Sequence, residues 1–190
     1  MKDPLLTDWK DKRRVKRRYD LTSEMYEGLY AEEQKAKYKA ALENLEFAGG
    51  VVLDLGCGSG LLFNEVSSQS KMIVGLDISG KLLLKAKDQA DKSKKVFVLQ
   101  ADADHLPFKD ASFDVIFAFT VLQNLPKPDV TLKELERVNK RGGRIVVTGL
   151  KKAFPFSTFV DALEGSGMKV ISFIDNRDLK CYVATMTTSV

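Results

Sequence analysis

Histidine occurs once and cysteine twice among the 190 residues. Cys57 and Cys181 are far apart in sequence, so the Cys/His cluster that zinc requires is excluded, and no metal site is expected. No apolar run approaches the 18 or so residues that span a bilayer. The longest, Val115 to Leu122, is strand-length and contains Thr120. The first twenty residues are charged and hold no apolar h-region, which predicts no secretory leader, no membrane association and a cytoplasmic location. Net charge is also small, at +4 from 30 basic and 26 acidic residues. It is unevenly placed. Lys10 to Arg18 (KDKRRVKRR) holds seven basic residues and one acid, so the remaining chain is slightly acidic.

Apolar residues make up 44% of the chain and charged residues 29%, which is ordinary globular usage. The length suits one domain with a full core and a short appendage. From Val51 onward, β-rich runs alternate with helix-period segments. Strands are predicted at 51–55, 72–77, 96–101, 113–120 and 144–148, and helices at 61–66, 81–90, 130–139 and 157–164, with Asp129 as the N-cap of the third. Two more strands, 169–173 and 179–186, are joined by a connection too short for a crossover and must be antiparallel to each other. The predicted fold is α/β: a doubly wound, seven-stranded, mostly parallel sheet with an antiparallel C-terminal hairpin and helices on both faces. Residues 1–18 read as a basic arm, 19–48 as a helical cap with one or two helices from Tyr26 to Phe47, and 49–190 as the core.

The most informative stretch is Val51 to Gly60 (VVLDLGCGSG), a strand that ends in three alternate glycines and runs directly into a helix. Such a turn lets the backbone approach a ligand, and the helix start adds free N–H groups. The dinucleotide fingerprint G-x-G-x-x-G fails here, because its third glycine would fall on Leu61. Instead Gly60 completes G-x-G-x-G, and Asp54 stands two residues before the first glycine.

With VGLDIS at 74–79, ADADHLPF at 101–108, SFDVIFAFTVLQNL at 112–125 and RGGRIVV at 141–147, the chain resembles the class I S-adenosylmethionine-dependent methyltransferases. The resemblance runs in order from Val51 to about Val183. It implies a Rossmann-like fold, S-adenosylmethionine as cofactor, and a cofactor site at Asp54, Gly56, Cys57, Gly58, Ser59, Gly60, Asp77, Ile78, Asp102, Ala103 and Thr120. Asp77 would take the ribose hydroxyls and Asp102 the adenine edge. It also implies that the N-terminal segment folds over the cofactor, which makes Tyr19 and Tyr30 candidates for the substrate side with Gln123 and Asn124.

The fourth-strand loop lacks the Asn/Asp-Pro-Pro-aromatic sequence of enzymes that methylate adenine or glutamine amino groups. Neither cysteine is placed as the nucleophile of a cytosine-C5 enzyme. His105 reads as a solvent-facing loop residue, and no catalytic residue is assigned. Methyl transfer depends chiefly on positioning, so none is obligatory. No insertion follows the fifth strand, which suggests an open site. The basic arm and its neighbouring tyrosines suit RNA, with tRNA or rRNA as acceptor, and equally suit a solvated arm with no partner. A small-molecule acceptor, a non-catalytic cofactor-binding scaffold and an activating protein partner are the alternatives.

Overall fold

A computed structural model describes residues 4–43 and 45–188. The strands are β1 (Gly50–Leu55), β2 (Ser70–Asp77), β3 (Val96–Gln100), β4 (Phe113–Ala118), β5 (Asn139–Leu150), β6 (Lys169–Ile174) and β7 (Cys181–Thr187). They form one sheet in the order β3-β2-β1-β4-β5-β7-β6. Neighbouring pairs among the first five strands are parallel, and β7 runs antiparallel to both β5 and β6. The doubly wound, mostly parallel sheet with its C-terminal hairpin is the architecture expected. Strand order reverses between β1 and β4, and α/β sheets bind ligands beyond the carboxyl ends of strands at such a point.

Among the described residues six α-helices accompany the sheet: α1 (Pro4–Thr22), α2 (Tyr26–Leu42), α3 (Leu61–Ser67), α4 (Gly80–Ala90), α5 (Pro128–Val138) and α6 (Phe156–Glu164). Side chains on the strands alternate between two cores. Val52, Val115, Phe117 and Val146 pack with Tyr38, Ala41, Leu62, Phe63 and Ala86 from α2, α3 and α4. Leu53, Ile116, Ile145 and Val147 pack with Leu132, Leu135, Phe159 and Leu163 from α5 and α6. Helices therefore cover both faces, as the near-continuous apolar strands require.

Several expectations change in detail. The N-cap of α5 is Lys127, without a side-chain cap bond, and Pro128 opens the helix. Asp129 lies in the first turn, where its charge faces the positive end of the helix dipole. β4 ends at Ala118, because Thr120 adopts a left-handed φ of 62° that leaves the strand. β5 begins five residues early, passing through Gly142 at φ 70°. The largest difference is N-terminal. The arm is the greater part of α1, so a boundary between residues 18 and 19 falls inside a helix.

Candidate active site

The three glycines of the β1–α3 turn all take left-handed φ values, at 72°, 56° and 84° for Gly56, Gly58 and Gly60. A Cβ on Gly56 would lie 2.4 Å from Val121 Cγ2, and one on Gly60 2.6 Å from Phe63 Cε2. Only glycine meets both demands. Gly58 N–H donates to Asp77 Oδ2 at 2.9 Å, and Ser79 N–H donates to Asp77 Oδ1 at 2.8 Å. Asp77 thus joins the glycine turn to the start of α4, where Ser79 caps the helix by accepting from Leu82 N–H.

A cleft opens above these elements, at the strand-order reversal. Its walls include Gly56, Gly58, Asp77, Ile78, Asp102, Ala103, Thr120, Tyr19 and Asn124 from the expected set. Asp54, Cys57, Ser59 and Gly60 do not line it. They form the support beneath, with Asp54 3% exposed and Ser59 fully buried. Asp54 Oδ2 and Ser59 Oγ are both buried without a hydrogen-bond partner. Burial, reinforced by the charge of Asp77, pushes the Asp54 carboxyl up to about 8. Asp77 is also raised by burial, although its backbone hydrogen bonds oppose the shift. Asp54 is therefore the member of the pair that holds a proton. Burial pushes both thiols up, which leaves no activated cysteine nucleophile.

α1 lies across this cleft. Lys12, 6% exposed, donates to both oxygens of Asp102 at 2.8 and 2.7 Å and also pairs with Asp104. Burial lowers the lysine pKa, but the bonds to Asp102 and Asp104 outweigh it and hold the ammonium above its ordinary range. Further along the helix, Asp20 accepts from Ser79 Oγ at 2.6 Å, Asp8 pairs with Lys127 at 2.6 Å, and Arg18 donates to Asn124 Oδ1 at 2.7 Å. The helix is stitched to the loops after β2, β3 and β4. Asp8, Lys12, Val15 and Tyr19 recur at helical spacing, and Val15 and Tyr19 amid so many charges are the signal that would have marked this face.

A larger chamber adjoins the cleft and shares Tyr19, Thr120 and Asn124 with it. Tyr30 and Gln123 lie here, so the four substrate-side candidates border one connected space. α1 lines both spaces and α2 lines the chamber. Sequence reasoning missed Lys37, which is 2% exposed on α2 yet borders the chamber. Its Nζ donates to Thr120 Oγ1 at 3.0 Å and pairs with Glu33 at 2.8 Å. The available signal was its position beside Gln34, Tyr38 and Ala41 on the inward helical face. His105 is exposed and lines neither space. Among the described residues no group of acids, histidines or cysteines is placed to hold a metal, and no helix is long and apolar enough to cross a membrane.

A methyltransferase domain model matches residues 53–147, half of the chain. The chain is 34% identical over 146 residues to the demethylmenaquinone methyltransferase of Thermobifida fusca, covering 73% of this chain and 61% of that protein. It spans between 43% and 61% of the length of three such relatives. The [4+2]-cyclase SpnF shares the fold at a TM-score of 0.83 and 17% identity, covering 93% of this chain and 95% of its own. A chain from the Haloferax volcanii complex of the Trm112 methyltransferase activator with a methyltransferase superposes at 0.73 and 18% identity, covering 90% and 98%. The chain belongs to the class I S-adenosylmethionine-dependent methyltransferases, and S-adenosylmethionine is its cofactor.

Proposed function

We propose that this methyltransferase binds its cofactor in the cleft and methylates a small organic acceptor held in the adjoining chamber. The observation that carries this reading is the shared wall of Tyr19, Thr120 and Asn124, which places the two spaces side by side against α1. The cofactor fits the cleft residues. At the glycine turn a Cβ on Gly56 would strike Val121, so the bare backbones of Gly56 and Gly58 line the cleft with Asp77. Bound S-adenosylmethionine supplies a methyl group on a positively charged sulfur.

In this reading the backbone at Gly56 and Gly58 receives the methionine end, Asp77 beside Ile78 accepts from the ribose, and Asp102 with Ala103 borders the adenine. Asp54 sets the charge beneath the turn. Thr120 marks the junction of the two spaces, its N–H held by Thr148 Oγ1 at 2.8 Å and its C=O accepting from Asn124 Nδ2 at 2.8 Å. The chain's contribution is orientation and exclusion of water, which alone lowers a displacement barrier substantially.

The basic arm supports this reading over RNA. Lys12 is buried in the cleft between Asp102 and Asp104, and Lys16 is paired with Asp20 at 2.6 Å, so two of its cations are neutralised within the molecule. Several relatives are named for small-molecule acceptors, such as the demethylmenaquinone methyltransferase, and another for malonyl-[acyl-carrier protein]; we carry over only the small organic acceptor. In the domain plan we propose, residues 4–42 form a helical cover on a core beginning near residue 49.

Calorimetry with S-adenosylmethionine and its demethylated product tests the cleft, with Asp77→Ala expected to weaken binding at least fivefold. Labelled cofactor is then incubated with a metabolite extract and, separately, with total RNA. Label in the metabolite fraction alone is expected, and label confined to RNA would overturn the acceptor class.

A further inference from the structure

The chamber is bordered by Arg18, Lys37, Lys151, Lys152 and Lys180, with Glu33 the single acid among its lining residues. Glu33 is shared between Lys37 at 2.8 Å and Lys180 at 3.0 Å. Lys151 is matched by Asp175 at 2.7 Å. Arg18 donates to the neutral amide oxygen of Asn124 and lies over the Tyr19 ring, and neither it nor Lys152 has a carboxylate partner among the described residues. Five cations thus face two carboxylates. One of the five, Lys37, is almost wholly buried where it donates to Thr120 at the edge of the cofactor cleft, with Glu33 as its counter-ion. The same chamber holds Gln123 Oε1, an acceptor shielded from solvent without a hydrogen-bond partner.

We infer that the acceptor of this methyltransferase carries an oxyanion, a carboxylate or phosphate, bound by the cations of the chamber, together with a hydroxyl or amine that donates to Gln123. The inference rests on the proposed methyl transfer and names its substrate class. Arginine and lysine are matched to such groups because charge-assisted hydrogen bonds to an oxyanion are short and strong. Placing the anion at the Arg18, Lys152 and Lys180 rim leaves Lys37 and Gln123 on the side nearer Thr120, where the reacting group of the acceptor meets the cleft. A neutral acceptor would leave the rim cations unmatched and would gain nothing from them.

The test uses the full chain, alone and with the demethylated cofactor product, at constant ionic strength. Sodium phosphate, 4-hydroxybenzoate and the neutral 4-hydroxybenzamide are titrated by calorimetry. At least one oxyanion is expected to bind saturably and at least tenfold more tightly than the amide, and which one binds separates phosphate from carboxylate. The double variant Lys152→Ala, Lys180→Ala alters only exposed side chains and is expected to lower that affinity about tenfold while binding the cofactor product normally. Equal affinity for benzoate and amide with no phosphate binding, or an unchanged affinity in the double variant, overturns the inference. Loss of cofactor-product binding by the wild-type chain would instead refute the methyl-transfer reading, and the titrations of the chain alone still decide whether the rim binds oxyanions.

Discussion

Replacing Asp54 by asparagine exchanges a buried carboxyl for a neutral group of the same shape, and its effect on stability should change sign with pH. The folded carboxyl is held at about 8 by burial and by the charge of Asp77, against an ordinary value of 3.8. Between those values the native state binds more protons than the unfolded chain, so stability falls as pH rises from about 4 to about 8. At about 1.4 kcal/mol for each tenfold change, the loss in the wild type reaches about 4 kcal/mol at pH 7 and ~6 above pH 8. Asparagine escapes that loss. It also buries an amide N–H₂ where Oδ2 has no partner, which costs about 1–3 kcal/mol at every pH. Without cofactor, Asp54→Asn should therefore be less stable than the wild type near pH 4, cross it between about pH 4.5 and 6, and be more stable at pH 8. Urea unfolding across this range reads the midpoints directly, provided the slope m is unchanged. Parallel stability curves for the two proteins would refute the argument.

Lys12→Met should loosen α1, because it leaves Asp102 and Asp104 without their shared cation; a loss of about 3 kcal/mol is expected, read as faster tryptic cleavage within residues 10–18. Gly60→Ala combines a φ of 84° with a Cβ 2.6 Å from Phe63, so denaturant unfolding should show a loss of about 1–3 kcal/mol. Arg137 donates to the carbonyls of Phe108 and Leu106 and pairs with Glu134 and Asp110, so Arg137→Ala should release the segment from Leu106 to Asp110. Hydrogen exchange there is expected to quicken at least tenfold, with β1 and β4 unaffected.

The core was legible in the chain because its signals are local. The strand from Val51 to Leu55 announces itself by composition, its glycines by spacing, and Asp77 by its place at the end of the next strand. The short link between β6 and β7 dictated their antiparallel pairing by length alone. The site's cover was not legible. α1 is so rich in lysine and arginine that Val15 and Tyr19 scarcely register as an apolar face, and its charges read as solvated. Lys12 reaches Asp102 across 90 residues and Lys37 reaches Thr120 across 83, contacts that no window along the chain contains.

From sequence alone come the doubly wound sheet, the glycine turn and the two acids beneath and beside it, since backbone sterics and side-chain alternation act over a few residues. Only in the folded molecule did the +6 segment become a wall of the cleft and of the adjoining chamber. Which charges are spent on one another and which are left facing a ligand depends on distances between elements remote in sequence, and those are set by packing.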